Sequence, residues 1–181
     1  MSRPVALAIT GGIGAGKSEA LAAFARHGAA TLSADELVHR LIAEDGPVRA
    51  ALEERVGTTD RAEIAAAVFD DPDALAWLET LLHPRVREQS EGWLERVDAP
   101  VAVIEIPLLY ETGGEDRFDK VVVITAPPDV RRARSAAAGD ARERRLLPDE
   151  EKVAKADYAY ENTGSLDDLD RFVASVLEDV T

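Results

Sequence analysis

The 181-residue sequence contains no cysteine. A disulfide framework, a thiolate metal site and a cysteine nucleophile are therefore excluded, and the absence suits a reducing compartment. Long hydrophobic runs are also missing, since no stretch approaches the ~18 apolar residues that a membrane-spanning helix needs. The apolar stretch near the N-terminus is too short for a signal peptide. We therefore expect a cytoplasmic protein.

Positive charge is scarce as well. The 21 Lys and Arg residues are outnumbered by 35 Asp and Glu residues, which gives a formal net charge of −14. So acidic a chain is a poor partner for a nucleic-acid backbone or an anionic membrane, and we expect neither as a ligand. The exception is a basic island from Arg131 to Arg145, where six arginines face only two acidic residues. This island indicates a small anionic ligand.

Strand-like apolar runs alternate with helical patterns along most of the chain. The predicted strands are 5–10, 30–32, 101–106, 121–125 and, more weakly, 157–162. Residues 47–97 carry only helical patterns, punctuated by Pro47, Pro72 and Pro84. This alternation predicts an α/β fold with a parallel sheet flanked by helices, and the glycine-rich segment GGIGAGKS between its first strand and first helix makes it a P-loop NTPase-type sheet. We expect a single domain over residues 1–181, with a core of 1–46 and 98–181 and an all-helical, acceptor-binding insertion at about 47–97.

The segment GGIGAGKS matches the pattern GxxxxGK[ST], with Gly11, Gly16, Lys17 and Ser18 in the fixed positions. It follows a predicted strand and opens a predicted helix, as a phosphate-binding loop must. Its glycines let consecutive N–H groups form an anion nest, to which the helix start adds a positive dipole end. Lys17 can reach the β- and γ-phosphates, and Ser18 can ligate Mg²⁺. The predicted nucleotide-binding residues are Gly12, Ile13, Gly14, Ala15, Gly16, Lys17, Ser18 and Glu19.

The type of reaction follows partly from what is missing. Asn162 is the only asparagine, so the guanine-binding NKxD motif of GTP-binding switch proteins is absent. A small phosphotransferase remains, which needs a carboxylate for the acceptor hydroxyl and a cationic lid. Asp35 lies at the end of the second predicted strand, where it could supply the carboxylate for the acceptor hydroxyl. An aspartate at this position can also cap a helix. Glu105 and Glu111 flank the segment IPLLY, and one of them could approach Mg²⁺ through water.

Together these motifs resemble one family, the dephospho-CoA kinases, nearly from end to end. The similar segments, in chain order, are TGGIGAGKS, SADELVHRLI, LLHPRV, IEIPLLYE and LPDEEKVAKADYAYENTGS. The resemblance implies transfer of the ATP γ-phosphate to the ribose 3′-hydroxyl of dephospho-CoA, with Mg²⁺. The implied partners are the small molecules ATP and dephospho-CoA. We expect the protein to be a monomer.

The resemblance also implies roles for single residues. Asp35 corresponds to the second aspartate of the family's DAD motif, which orients the 3′-hydroxyl or acts as its base. Arg134 and Arg142 correspond to arginines of a lid, a short one here at about residues 135–147. Asn162 and Gly164 correspond to the loop beside the adenine of ATP. The segments that surround the acceptor in the family contain His83, Leu108, Leu109 and Glu111.

Three positions depart from the family's motifs. Ser33 replaces the first aspartate of DAD, Glu19 replaces the usual threonine after the loop serine, and Leu146 stands where glutamine is frequent. Two alternatives stay open. One is a P-loop kinase for another nucleotide or small alcohol. The other is a nucleotide-binding regulator that no longer catalyses, which would bind ATP without dephospho-CoA-dependent ADP release.

Overall fold

The computed structural model describes residues 3–69, 71–135 and 146–181. They form two compact units, Met1–Ser33 with Leu94–Thr181, and Ala34–Trp93. The strands are β1 (Val5–Gly11), β2 (Ala30–Ser33), β3 (Val101–Glu105), β4 (Lys120–Thr125) and β5 (Tyr158–Glu161). The helices are α1 (Lys17–Arg26), α2 (Ala34–Glu44), α3 (Gly46–Arg55), α4 (Arg61–Phe69), α5 (Pro72–Arg96), α6 (Pro128–Arg134), α7 (Asp149–Lys155) and α8 (Leu166–Val180).

The first unit is built on a five-stranded sheet in the order β2-β3-β1-β4-β5. Every pair of neighbouring strands is parallel, which confirms the predicted α/β fold class. The buried, β-branched composition of β3 and β4 is typical of strands covered on both faces. The sheet order places β1 in the centre, so the loop that follows it lies at the middle of the sheet's carboxyl edge.

Helices and loops cover both faces of this sheet. On one face, Leu7 and Ile9 of β1 pack with Phe24 of α1 and Val173 of α8. On the other face, Ala8 belongs to a second apolar cluster, which includes Leu109, Tyr110, Val121 and Val123. The alternation along β1 follows from the period of two in a strand. Both faces of the central strand are therefore buried, and its end is held firmly.

The start of α8 shows a capping box, as the segment SLDD predicts. Ser165 is the N-cap, and its hydroxyl accepts a hydrogen bond from the Asp168 N–H at 3.2 Å. In return, the Asp168 carboxylate accepts one from the Ser165 N–H at 2.8 Å. The helix begins directly after the 162–164 loop, so the capping box fixes where that loop ends.

The second unit contains the helices α2, α3 and α4 and nearly all of α5. Its apolar core consists of Leu41, Ile42, Val48, Leu52, Ile64 and Leu82. The unit begins at Ala34, one helix earlier than the predicted boundary at residue 47. The difference arises because α2 supplies Leu41 and Ile42 to this core, a packing relation that periodicity alone does not show.

The predicted break at Pro84 is wrong, because α5 continues through it. A proline inside a helix removes one N–H donor and crowds the preceding turn. Here the Arg85 side chain donates to the Leu81 carbonyl at 3.0 Å, within that same turn. Leu82 before the proline and Val86 after it both pack in the apolar cluster of the second unit, which favours a continuous helix. None of the helices in the described residues is both long and apolar enough to cross a membrane.

Candidate active site

The glycine-rich loop joins β1 to α1, as the motif predicts. Gly14 and Gly16 have φ values of 76° and 101°, in the left-handed region that glycine adopts most readily. Gly16 also lies so close to Asn162 that a Cβ atom there would be 2.3 Å from the amide nitrogen. Both conformation and space therefore require glycine at position 16. The loop has the shape of an anion nest at the start of a helix.

Asn162 braces this loop from the end of β5. Its side chain is buried, and its Nδ2 atom donates to the Ala15 carbonyl at 2.9 Å. Its own backbone N–H donates to the Thr125 carbonyl at 2.7 Å. The bond holds the Ala15 carbonyl toward Asn162, while the Ala15 N–H donates to the Gly12 carbonyl at 3.3 Å inside the loop. The family resemblance places Asn162 beside the adenine, and in the structure its side chain contacts the phosphate-binding loop.

We predict that Asn162→Ala weakens nucleotide binding. The substitution leaves the buried Ala15 carbonyl without this donor, which costs about 1–3 kcal/mol. We expect this cost to destabilise the loop conformation that binds nucleotide, so ATP affinity should drop about tenfold or more. Calorimetric titration with ATP measures the change, and Thr163→Ala, an exposed neighbour on the same loop, serves as the control. Unchanged ATP affinity in Asn162→Ala would show that the bond does not shape the loop.

Lys17 and Ser18 occupy the first turn of α1. The Lys17 ammonium donates to the Gly12 carbonyl at 2.9 Å, so it lies across the loop. Ser18 is exposed in the first turn of the helix. A hydroxyl at this position can supply an oxygen ligand to a cation that is bound with the nucleotide. Lys17 can exchange the Gly12 carbonyl for phosphate oxygens without moving the backbone. These positions fit the predicted roles of both residues.

Glu19 directs its charge away from the nest. Its carboxylate accepts a hydrogen bond from Arg26 at 3.1 Å, and Arg26 also contacts Asp170 of α8 at 3.0 Å. Hydrogen bonds from His27 and then Arg26 lower the pKa of Asp170. The carboxylate of Glu19 therefore takes part in an exposed charge network between α1 and α8.

The departure at Ser33 has a partner on the next strand. Ser33 ends β2 and lies opposite Glu105, which ends β3. Both side chains are buried, and the Ser33 hydroxyl donates to a Glu105 carboxylate oxygen at 3.3 Å. Glu105 in turn lies opposite Ile9 of β1, two residues before the glycine-rich loop. A hydroxyl thus helps to orient a buried carboxylate at the carboxyl edge of the sheet.

Asp35 and His83 belong to the second unit. Asp35 is exposed in the first turn of α2, two residues after β2 ends. It is the second residue of the helix rather than the residue before it, so the capping role considered from the sequence does not describe it. His83 is exposed within α5. Both side chains are available to a ligand.

Glu111 and Lys152 form a buried ion pair in the first unit. The Lys152 side chain is 0% exposed and that of Glu111 only 12%, and Nζ lies 2.9 Å from Oε1. The same Glu111 oxygen accepts a hydrogen bond from the Leu147 N–H at 2.8 Å. Glu111 therefore joins the loop after β3 to the segment that leads into α7. This contact gives Glu111 a structural role at that junction, and its assignment to the acceptor stays a prediction.

The neighbouring residues of that loop divide between core and surface. Leu109 is fully buried in the apolar cluster with Ala8 and Val121, so its side chain supports the sheet and does not face a ligand. Leu108 is half-buried and stays available. Burial, with the carboxylates Glu115 and Asp157 adding to it, raises the pKa of Tyr110 to about 12. The buried side chains of Leu109 and Tyr110 thus anchor the segment IPLLY to the apolar cluster on this face of the sheet.

The basic island is described in part. Arg134 ends α6 and is exposed, with its NH1 atom 3.8 Å from the Cβ position of Gly16. Arg142 and most of the predicted lid lie outside the described residues. Gly164 lies against the α8 capping box, since a Cβ atom there would be 2.6 Å from Asp168. Arg134, Asn162 and the loop glycines are therefore brought together on one side of the sheet edge.

The side-chain oxygens of this site are suited to the magnesium ion of a magnesium–nucleotide complex. Ser18 and Glu105 offer oxygen donors, which Mg²⁺ prefers. Over residues 3–69, 71–135 and 146–181, no cluster of three or more acidic or histidine side chains could hold a metal by itself. Magnesium at nucleotide sites uses one or two protein ligands and completes its shell with phosphates and water. Ser18 stays the predicted direct ligand.

The fold and the loop together define a class of enzyme, the P-loop kinases. A crystal structure of shikimate kinase from Bacteroides thetaiotaomicron shares this fold, with a TM-score of 0.56 at 19% identity over 96% of this chain and 98% of that one. A Thermus thermophilus crystal structure superposes with a TM-score of 0.81 at 37% identity, over 99% of this chain and 100% of that one. The chain thus has the fold of these kinases.

The family is shown by sequence. The model of the dephospho-CoA kinase family matches residues 5–168. A dephospho-CoA kinase from Brucella melitensis is 37% identical over 187 aligned positions, which cover 96% of this chain and 94% of that protein. The chain belongs to the dephospho-CoA kinase family, and the resemblance drawn from its motifs is confirmed.

Proposed function

We propose that this protein transfers the γ-phosphate of ATP to the ribose 3′-hydroxyl of dephospho-CoA, giving coenzyme A and ADP. Membership of the dephospho-CoA kinase family supports this activity. The observation that carries it is the braced glycine-rich loop, where Asn162 holds the Ala15 carbonyl and Lys17 lies across the Gly12 carbonyl. A loop of this shape binds a polyphosphate, and the family determines the acceptor.

ATP binds with its β- and γ-phosphates in the nest from Gly12 to Ser18. The N–H groups and the start of α1 attract the phosphates, and Lys17 leaves the Gly12 carbonyl to bind phosphate oxygens. Ser18 would ligate a bound Mg²⁺ directly and Glu105 could approach it through water, and the ion would neutralise part of the phosphate charge. The loop of Asn162 and Gly164 borders the adenine. Arg134 and Arg142 add positive charge beside the transferring phosphoryl group.

Asp35 receives the acceptor hydroxyl. Ligands of parallel α/β sheets bind at the carboxyl ends of the strands, and Asp35 follows the end of β2. Phosphoryl transfer passes through a loose transition state in most cases, so orientation of the hydroxyl contributes as much as removal of its proton. His83 and Leu108 contact the acceptor, while Leu109 and Glu111 position the loop that carries Leu108.

The test is ADP release from purified protein with ATP and Mg²⁺, with and without dephospho-CoA. We expect release to depend on dephospho-CoA, and the product to gain the mass of one phosphate. Stimulation by a nucleoside monophosphate or another alcohol instead would indicate a different acceptor. ATP binding without stimulation by any acceptor would indicate a non-catalytic regulator. Omission of Mg²⁺ should abolish turnover.

We also propose a monomer that acts in the cytoplasm. The absence of cysteine supports a reducing compartment. Light scattering of the eluted protein during size-exclusion chromatography tests the monomer, for which we expect the mass of one chain.

A further inference from the structure

Arg131, on α6, packs against the glycine-rich loop. Its NH1 atom lies beside Gly12, 2.5 Å from where a Cβ atom of that residue would be. Its backbone carbonyl oxygen is 2.7 Å from the Cβ position of Gly14. Only 14% of the Arg131 side chain is exposed. The two glycines therefore leave just enough room for this arginine.

Asp149, the first residue of α7, lies close to the same point of the loop. Its Oδ2 atom lies 3.9 Å from NH2 of Arg131, and its Oδ1 atom lies 3.4 Å from the Cβ position of Gly12. A carboxylate at this distance favours one orientation of the guanidinium. Desolvated charges are costly to keep in a fold. An arginine–aspartate pair held against a phosphate-binding loop is therefore better explained by a ligand than by stability.

The position of Lys17 shows which end of the nest Arg131 faces. The lysine of such loops engages the β- and γ-phosphates, and here its ammonium lies on the Gly12 carbonyl. Gly12 therefore marks the end of the nest that receives the terminal phosphate. Arg131 borders a cavity of about 660 Å³ that Gly12 and Asp149 also line. The guanidinium has room there to turn toward a bound phosphate.

We propose that Arg131 donates hydrogen bonds to the terminal phosphate of ATP, with Asp149 as the residue that positions it. A planar guanidinium can bind two phosphate oxygens at once. Arg131 then distinguishes ATP from ADP, because ADP has no group at that end of the nest. This inference rests on the ATP site of the proposed function and adds a residue that selects for the triphosphate.

Arg131→Gln tests it, because glutamine removes the charge and keeps part of the side-chain length. Hydrogen bonds to charged groups contribute about 1.5–3 kcal/mol, so affinity for a non-hydrolysable ATP analogue should fall about tenfold or more. Affinity for ADP should change less than about twofold. Titration calorimetry with each nucleotide and Mg²⁺ measures both. Arg132→Gln, at an exposed position on the same helix, should change neither.

A second variant keeps the test decisive if Arg131→Gln does not fold. Arg131→Lys retains the charge but loses the paired donors, so it should lower ATP-analogue affinity several-fold and leave ADP affinity unchanged. Equal losses of affinity for both nucleotides would overturn the inference, because a distorted loop weakens every phosphate contact. No loss for either nucleotide would also overturn it, because Arg131 would then make no contact with the terminal phosphate. The proposed function fails separately, if the unaltered protein releases no ADP in response to dephospho-CoA.

Discussion

Asp35→Asn should lower kcat by about 100- to 10,000-fold, the range that a positioned acid or base contributes to catalysis. Asparagine has nearly the same size as aspartate, but it cannot accept a proton and holds a hydroxyl more weakly. The side chain is exposed in the first turn of α2, so the substitution removes no core contact. ATP affinity should stay within about twofold, because Asp35 is assigned to the acceptor.

Steady-state kinetics with dephospho-CoA and calorimetry with ATP separate the two effects. Glu36→Gln is the matched control, since Glu36 is the next residue, is also acidic and is exposed in the same helical turn. It should leave kcat nearly unchanged. If Asp35→Asn turns over as fast as the unaltered protein, Asp35 has no part in the chemistry. If both variants lose activity alike, only the negative charge of the helix start matters.

Lys152→Met should lower the free energy of unfolding by about 3–5 kcal/mol, since it leaves a buried carboxylate without its counter-charge. Lys152 is fully buried, and its Nζ atom lies 2.9 Å from Glu111. Methionine matches the length of the aliphatic stem but supplies no charge. Glu111 would then be forced to take up a proton or draw in water, and the Leu147 contact would weaken with it. Chemical denaturation followed by circular dichroism measures the loss.

A double variant distinguishes lost charge from lost packing. Lys152→Met combined with Glu111→Leu removes both charges, and such apolar replacements are often neutral or stabilising. We expect it to recover most of the stability that the single variant loses. Lys155→Met, at an exposed position on the same helix, should cost under about 1 kcal/mol. A single variant as stable as the unaltered protein would mean that the ion pair contributes nothing.

The parts of the site that could be predicted from the sequence are those encoded within a few residues. The loop from Gly11 to Ser18 needs a strand before it, a helix after it and glycine where the backbone turns, and all three requirements are local. The strand VAVIEI and the capping box at Ser165 are local in the same sense. Each was predicted from residue types and spacing, and each is present in the structure.

The contacts that hold the site together join residues far apart in the chain, and these could not be predicted. The family resemblance predicts that Asn162 lies near the nucleotide, but nothing in the sequence indicates that it bonds to Ala15. Ser33 meets Glu105 only because β2 and β3 are neighbours in the sheet. Arg131 could not be separated from Arg132, because α6 is too short for its periodicity to show which side faces the loop.

The sheet order has a consequence for the synthesis of this protein. β1 is made first, yet its two neighbours are β3, which begins at Val101, and β4, which ends at Thr125. Chains generally fold domain by domain as they leave the ribosome. The helical unit Ala34–Trp93 is one continuous stretch of chain, whereas β1 has no partner strand until well over half of the chain has been translated. Nascent chains that stop before β4 should therefore be unable to retain ATP.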